Sequence, residues 1–377
     1  MESPFIFGKK VKGKNFINRT TELKRLKLNF ISGINTMIIA PRRWGKSSLV
    51  MKASEQIEKT EKNIRICYID LFRINNEKEF YEELMTQVVK SSSSRWEDWF
   101  NNAKNLLKGL VSSFSIGVDP YQDFKFKLNW EEPKLLQSAI IDLPEKLAKK
   151  KKLKFIICID EFQKIAEFPD SLSLQQKLRS SWQSHEFSSY CLFGSKFHII
   201  NELFSNPSMP FYQFGDLMYL EKIPEKHWYN YISRAFRNTG KEIKKEHIDR
   251  ILYLSKNHPF HVQQFSHHVW RLTERVVDDK VFAITIDELL RYNAIFYERM
   301  INSMSLLQIN FLRAIAQGET QLTSAEVIKK YELGTSGNIE TLKKAVVNKE
   351  LVSFLGNKPE FEDPLFKYWF TKTFLNN

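Results

Sequence analysis

The sequence predicts an α/β protein with a parallel sheet, followed by a helical region and a C-terminal segment of short helices and a hairpin. Three observations predict this order. Short apolar runs before residue 200 alternate with helical segments, which is typical of parallel strands that are buried on both faces. From about residue 224 to residue 300 the pattern is helical. After residue 300, helical spacing gives way to a strand, a turn and a returning strand.

The length and composition are those of a folded protein with more than one domain. At about 150 residues per domain, 377 residues predict two or three domains. Hydrophobic residues make up 42% and charged residues 27%, which excludes wholesale disorder. No apolar run approaches the roughly 20 residues of a membrane span, and the N-terminus has no apolar signal segment. The three cysteines lie in strand-like runs, so we expect a cytoplasmic protein without a disulfide framework.

Four strands of the sheet can be assigned in chain order. They are 36–40, 64–70, 155–160 and 190–194. Between the second and third strands, residues of about 91–132 mix Ser, Gly, Pro and aromatic types, and alternation within residues 113–128 is typical of a hairpin. We interpret this region as an insertion at the edge of the core.

Two further segments follow the predicted core. The predicted domains are a core at 1–220, a helical domain at 221–300 and a winged-helix domain at 301–377. In the last segment, apolar residues at helical spacing predict a first helix. A capping box from Thr323 to Glu326 starts a second helix, and Thr335 or Ser336 caps a third. Residues 351–361 then predict a strand, a turn and a strand, and three helices with a hairpin are the plan of a winged helix.

The basic excess is concentrated at the front of the chain. Residues 1–60 hold 13 Lys or Arg and 4 Glu, a net charge of +9, whereas residues 301–377 carry a net charge of +1. This distribution indicates a phosphate, nucleic acid or other acidic partner, with a solvated lysine-rich surface as the alternative.

A phosphate-binding loop follows the first predicted strand. Residues 40–47, Ala-Pro-Arg-Arg-Trp-Gly-Lys-Ser, fit the pattern A/G-x-x-x-x-G-K-S/T between a strand and a helix. Backbone N–H groups at a helix N-terminus bind phosphate, and Gly45 lets the backbone approach closely. Lys46 is expected to reach the β- and γ-phosphates, and Ser47 is the expected Mg²⁺ ligand.

An acidic pair at the end of the third strand completes the predicted site. Asp160 is expected beside the loop, where its carboxylate suits Mg²⁺. Glu161 is placed to polarise an attacking water. A strand inserted between the loop strand and this strand, together with a catalytic glutamate, is typical of NTPases that hydrolyse with their own base, as distinct from nucleotide kinases.

One polar residue after the fourth strand is a candidate phosphate sensor. Ser195 follows Gly194, and the surrounding residues lack the G-x-S-x-G pattern of a serine hydrolase. The histidine-rich stretch 258–268 suggests zinc only weakly, because no HExxH or CxxC pattern accompanies it. Structural or surface histidines are the better interpretation. The candidate catalytic residues are therefore Lys46, Glu161 and Ser195.

These motifs together resemble the archaeal-type ATPases over residues 16–369. The matching segments are Phe16-Ile-Asn-Arg19 with Glu22-Leu23, the loop Pro41-Arg-Arg-Trp-Gly-Lys-Ser-Ser-Leu49, Asp160-Glu-Phe-Gln163, Gly194-Ser195, His258-Pro259 with Gln263, and Asp363-Pro-Leu-Phe-Lys-Tyr-Trp369. The loop is common to many NTPases. The combination of the D-E-F-Q, H-P and D-P-L-F-x-x-W segments is much more specific.

The resemblance implies a P-loop NTPase core of the AAA+-like, signal-transduction (STAND) type that uses ATP and Mg²⁺. It also implies that the helical domain at 221–300 is a lid and that a winged helix follows it. It implies that Arg19 lies near the base or sugar and that Pro259 packs near adenine. The implied nucleotide-binding loop residues are Pro41, Arg42, Arg43, Trp44, Gly45, Lys46, Ser47 and Ser48, and the implied metal ligands are Ser47 and Asp160. Asn257 stands where this family prefers glycine. The family's P-L-Y-G-R segment has no arginine here, so Arg179, Arg234 and Arg237 are unranked candidates for an arginine finger.

The sequence favours an ATPase switch that couples nucleotide state to a protein partner or to self-association. Two alternatives stay open, namely a DNA-binding ATPase of the initiator type and an ATP sensor with negligible turnover. A winged helix that grips duplex DNA should be clearly basic. Residues 301–377 are nearly neutral, although Lys343 and Lys344 lie on the exposed face of the recognition helix. DNA is therefore the less favoured partner.

Overall fold

The chain forms two compact units. The computed structural model describes residues 2–9, 11, 16–92, 114–119, 122–128, 133–355 and 358–375. The sheet unit consists of Arg19–Pro41 and Lys46–Glu221, and the helical unit consists of Met1–Asn18, Arg42–Gly45 and Lys222–Asn377. The division of the chain into three domains at 220 and 300 stays a prediction.

A five-stranded parallel sheet forms the centre of the sheet unit. The strands of this unit are β1 (Thr36–Ile39), β2 (Ile64–Asp70), β3 (Phe114–Asp119), β4 (Gln122–Leu128), β5 (Lys154–Asp160), β6 (Ser188–Phe193) and β7 (Asp216–Tyr219). The order in the sheet is β2-β5-β6-β1-β7, and every pairing in it is parallel. The predicted parallel sheet is confirmed, with β6 inserted between the loop strand β1 and the acidic strand β5.

The apolar runs form strands because both faces of the sheet are covered. All residues of β1 and β6 are buried, and β5 is buried after its first residue. The helices of the sheet unit are α1 (Thr20–Ser32), α2 (Lys46–Thr60), α3 (Glu77–Ser92), α4 (Pro133–Ile141), α5 (Leu143–Lys151), α6 (Ser171–Trp182) and α7 (Phe197–Ser205). Sequence reasoning missed β7, because this four-residue edge strand is only partly buried and lacks a continuous apolar run.

The predicted hairpin is present as the antiparallel pair β3–β4. The backbone of β4 donates to side chains of α3: Thr86 Oγ1 accepts from the N–H of Phe126 at 3.1 Å, and Glu82 Oε1 accepts from the N–H of Leu128 at 2.9 Å. Most of the proposed insertion between α3 and β3 lies outside the described residues.

The helical unit begins with the predicted run of helices after residue 224. These are α8 (Glu225–Arg237), α9 (Lys245–Ser255), α10 (Pro259–Leu272) and α11 (Asp279–Asn302). Asn257 adopts a left-handed φ of 58° before α10. Asparagine tolerates this conformation better than most residues, which explains how it replaces the glycine expected there.

The winged helix follows α11. It contains α12 (Leu306–Ala316), α13 (Ala325–Lys330), α14 (Ser336–Asn348), β8 (Val352–Leu355), β9 (Lys358–Phe361) and α15 (Pro364–Phe374), with β8 and β9 antiparallel. The capping box predicted at Thr323 is wrong by one residue. Ser324 caps α13, because its hydroxyl accepts from the N–H of Val327 at 3.3 Å. Both residues are good caps, and spacing alone does not separate them. Ser305 and Gln308 form a capping box that sequence reasoning missed.

Within the described ranges, no helix is both long enough and apolar enough to span a bilayer.

Candidate functional site

Polar side chains collect at the carboxyl edge of the sheet. Asp160 ends β5, and Ser195 comes two residues after β6. The segment that leads to Lys46 and Ser47 begins at residue 40, directly after β1. Because the strands are parallel, their carboxyl ends share one edge of the sheet. The candidate site of the sheet unit lies at this edge.

Lys46 is buried at the start of α2. Its side chain is 5% exposed, and Nζ donates to the carbonyl oxygens of Ala40 at 2.7 Å and of Pro41 at 2.8 Å. The loop backbone therefore fixes the ammonium group at the N-terminus of the helix. This is the end where helix partial charge and free N–H groups favour an anion.

Asp160 is held by two hydroxyl groups. Oδ2 accepts from the Ser47 hydroxyl at 2.8 Å and from the Tyr68 hydroxyl at 2.7 Å. Burial raises the pKa of the Asp160 carboxyl, and these two hydrogen bonds oppose the rise. The Ser47 hydroxyl and the carboxylate are hard oxygen donors in contact, so the donor set fits Mg²⁺.

Glu161 is placed by the residues that follow β5 and β6. Its backbone has a left-handed φ of 54°. Oε2 accepts from the backbone N–H of Ser195 at 3.1 Å, from the Ser195 hydroxyl at 2.8 Å and from Nε2 of Gln163. The structure thus brings Glu161 and Ser195 together and adds Gln163 to them.

Gln163 can approach Glu161 because residue 194 is a glycine. Gln163 is 2% exposed, and a Cβ on Gly194 would lie 1.8 Å from its Oε1. Sequence reasoning gave no role to Gln163, Gly194 or Tyr68. For Gln163 the available signal was its place in the D-E-F-Q segment. For Tyr68 it was the position two residues before the end of β2.

Arg19 lies in the sheet unit at the start of α1. It is 5% exposed with a left-handed φ of 66°. Nη1 donates to Glu22 Oε1 at 2.8 Å and to the carbonyl of Glu221 at 2.6 Å. The structure therefore fixes the guanidinium of Arg19 through two partners, one near the start and one at the end of the sheet unit's sequence. Ser48, another predicted site residue, is buried in the first turn of α2.

Loop residues 42–45 belong to the helical unit, and so does Pro259. His258 Nε2 lies 3.2 Å from the Arg42 carbonyl oxygen, and the Arg43 guanidinium lies 4.3 Å from the centre of the Phe260 ring. Gly45 has a φ of 90°, which disfavours other residues. Pro259 is the first residue of α10, where a missing N–H is tolerated.

The three candidate arginines occupy different surroundings. The Arg179 guanidinium stacks on Phe214 at 4.8 Å, within the sheet unit. In the helical unit, Arg234 lines a cavity of about 190 Å³ with Asn18 and His227. Arg237 lies in the last turn of α8. Their geometry alone does not rank them as arginine fingers.

The histidines of α10 have structural partners. His261 Nε2 lies 3.2 Å from Asp363 Oδ1, and His267 Nδ1 lies 2.8 Å from the Ser3 hydroxyl. Burial lowers the pKa of His261 and of His267. These contacts agree with the interpretation of the stretch as structural.

Comparisons with known proteins identify the fold. A family described as a probable winged helix domain matches residues 295–372. The Walker-type ATPase PABY2304 of Pyrococcus abyssi superposes with a TM-score of 0.67 at 16% identity, over 96% of this chain and 97% of that one. The ORC2 protein of Aeropyrum pernix, in its ADPNP–ADP complexes, superposes with a TM-score of 0.56 at 13% identity, over 96% and 95%. No curated protein matches the sequence significantly.

At these identities the comparisons establish architecture. The five-stranded parallel sheet and the C-terminal winged helix both agree with the predicted fold class. The chain therefore has the fold of the archaeal Walker-type ATPase and of the ORC2 protein, an AAA+-like P-loop fold with a winged helix at its C-terminus.

Proposed function

We propose that the protein is a Mg²⁺-dependent molecular switch of the STAND, archaeal-ATPase type, which binds and hydrolyses ATP and couples its nucleotide state to partner binding. The observation that carries the proposal is the contact of Ser47 with Asp160, 2.8 Å apart, one residue from Lys46. An anion-binding helix start and a hard-oxygen pair at one place suit a metal-bound polyphosphate. The ADPNP–ADP complexes of the similar ORC2 protein support an adenine nucleotide.

In this proposal each residue at the sheet edge has a separate role in binding the nucleotide or the metal. Lys46 exchanges its contacts with the loop carbonyls for the β- and γ-phosphates. Ser47 and Asp160 hold Mg²⁺, which neutralises phosphate charge when it is bound. Ser48 contributes to the helix start. Each of these groups is already positioned by hydrogen bonds or burial within the fold.

Glu161 is the proposed base that orients and polarises the attacking water. Ser195 and Gln163 donate to one oxygen of its carboxylate, which restricts the orientation of that group. A carboxylate fixed in this way loses less entropy when it engages a water. Hydrolysis by this base would return the switch to its other nucleotide state.

The remaining nucleotide contacts are proposed from the family resemblance. Arg19 is assigned to the base or sugar, Pro259 to adenine, and residues 41–45 to the phosphates. The proposed domains are the ATPase core at 1–220, the lid at 221–300 and the winged helix at 301–377.

The proposed partner is a protein, or a second copy of this chain. The DNA-binding alternative is less well supported, because residues 301–377 carry a net charge of +1. On the recognition helix α14, Lys344 is exposed, but the Lys343 ammonium lies 4.8 Å from the centre of the Phe354 ring. Fewer cations are therefore directed to solvent than the sequence alone indicates. The sensor alternative differs from the switch only in turnover.

Calorimetric titration with Mg-ATP tests nucleotide binding. Lys46→Ala should abolish binding, because it removes the cation that faces the phosphates. Lys59→Ala is the matched control, since Lys59 is exposed at the far end of the same helix and should leave the affinity unchanged. Unchanged ATP affinity in a folded Lys46→Ala variant would refute the phosphate site.

Glu161→Gln tests hydrolysis separately. This variant should bind Mg-ATP as the parent does and should hydrolyse it about 10²–10⁴-fold more slowly. Turnover at the parent rate would exclude Glu161 as the base. Absence of turnover in the parent would favour the sensor. Proteins that co-purify with Glu161→Gln in the presence of ATP, and not with Lys46→Ala, would identify the partner.

A further inference from the structure

The start of α10 contacts the phosphate loop at three places within the helical unit. The His258 ring nitrogen Nε2 lies 3.2 Å from the Arg42 carbonyl oxygen. The Trp44 ring meets the His258 ring edge-on, with 6.3 Å between centroids. The Arg43 guanidinium lies 4.3 Å above the Phe260 ring. Three consecutive loop residues are thus held by one helix start.

The protonation state of His258 follows from its surroundings. A carbonyl oxygen can only accept a hydrogen bond, so Nε2 must carry the proton that it donates. His258 is 6% exposed, and its Nδ1 has no hydrogen-bond partner among the described residues. Burial lowers the pKa of His258 well below the ordinary value, His261 and Arg43 lower it further, and the hydrogen bond to the Arg42 carbonyl only partly opposes this fall. The ring is therefore a neutral, fixed donor at neutral pH.

The contact fixes the orientation of one peptide group in the loop. No cis peptide occurs among the described residues, and in a trans peptide the C=O and the following N–H point in opposite directions. With the Arg42 carbonyl directed at His258, the N–H of Arg43 is turned away from that ring. Arg43 also has a left-handed φ of 63°, a conformation that is uncommon for a residue other than glycine.

We propose that His258 is a positioning residue for phosphate binding: its hydrogen bond to the Arg42 carbonyl holds the 42–43 peptide so that the N–H of Arg43 stays available to the anion. The inference rests on the proposed binding of ATP and adds a residue outside the loop that sets the loop's form. The H-P segment at the start of α10 thereby acts on the phosphates through the backbone of residue 42.

Calorimetric titration of the full chain with Mg-ATP tests the proposal. His258→Phe keeps an aromatic ring and removes the donor, and it should weaken binding about 10-fold. His258→Gln can place its amide nitrogen where Nε2 lies and should restore binding to within about 3-fold of the parent. His258→Asn is too short to reach and should behave as His258→Phe does. The hydrolysis rate at saturating ATP should stay near the parent value in all three variants.

His247→Phe is the control, because His247 is a histidine of α9 that is 3% exposed and lies outside the loop contacts. It should leave the ATP affinity unchanged. Parent-like binding by His258→Phe or by His258→Asn would overturn the inference, and so would equal weakening in His258→Gln. If only one of His258→Phe and His258→Asn folds, its comparison with His258→Gln decides.

The outcomes separate this inference from the proposed function. A parent protein that does not bind Mg-ATP overturns both. If the parent binds Mg-ATP, Lys46→Ala does not bind it and His258→Phe binds it as the parent does, only the role of His258 is overturned.

Discussion

Replacement of Gly194 by alanine would displace Gln163 from Glu161. The added Cβ would lie 1.8 Å from Gln163 Oε1 and 2.9 Å from its Cδ, whereas such contacts require about 3.0 Å. The Gln163 amide must therefore move by about 1.2 Å or rotate. The backbone at residue 194 can itself accept alanine, because its φ lies outside the left-handed region.

The displacement removes one of the three donors that hold Glu161 Oε2. A misplacement of about 1 Å near reacting groups can cost about 10²-fold in rate. We therefore expect the hydrolysis rate to fall by about 10²-fold, which corresponds to about 2.7 kcal/mol in the barrier. Overpacking should also lower the free energy of unfolding by about 1–3 kcal/mol.

Phosphate release at saturating ATP, together with calorimetric ATP affinity, measures the effect. The ATP affinity should stay within about 3-fold of the parent, because the three atoms nearest to the new Cβ belong to Gln163 and Ile200 and not to Lys46 or Ser47. Gly337→Ala is the matched control, since the nearest atom to its new Cβ lies at 3.7 Å, an ordinary contact. The control should match the parent in both measurements.

Parent-like hydrolysis by folded Gly194→Ala would refute the reasoning that the contact with Gln163 matters for Glu161. Loss of ATP affinity and hydrolysis in equal measure would also refute it, because the damage would then reach the phosphate loop.

Two further predictions concern stability. Trp369→Ala should lower the free energy of unfolding of the helical unit by about 3 kcal/mol in urea titration, because Trp369 is 8% exposed, whereas Tyr368→Ala, at 37% exposure, should cost far less. Burial lowers the pKa of both His258 and His261, and for His261 it outweighs the opposing effect of the Asp363 charge. The unfolded chain therefore takes up protons on these two rings at a higher pH than the folded chain does. The free energy of unfolding should be highest above about pH 6.5 and should fall as the pH drops below that value. A His258→Gln, His261→Gln double variant should show a shallower fall. An unchanged slope in the double variant would show that these two histidines do not cause the pH dependence.

Local pattern was sufficient to predict the fold class and the order of most of its elements. Strands β1, β5 and β6 are almost wholly buried because both faces of a parallel sheet are covered, and short, largely apolar runs of this kind are visible in sequence. The predicted phosphate loop requires a glycine, a lysine and a serine at adjacent positions, so covalent spacing alone places Lys46 beside Ser47. The edge strand β7 was not predictable in the same way, since its side chains are only partly buried.

Only the tertiary structure decided which side chains surround the acidic pair. Asp70 pairs with Asp160 across β2 and β5, and Tyr68 lies two residues earlier on the same face, where its hydroxyl reaches Asp160. Gln163 reaches Glu161 only because the residue that follows β6 beside it is Gly194, where a Cβ would clash with Gln163.

The sequence alone determined which side chains are candidates for the site and which strand or helix carries each, because periodicity and residue type act over a few positions along the chain. The partners of those groups depended on strand order and register. These follow from how distant segments pack, and no local pattern records them. Lys46 and Asp160 could thus be named from sequence, whereas the contacts that hold Glu161 and the contact of His258 with the loop required the fold.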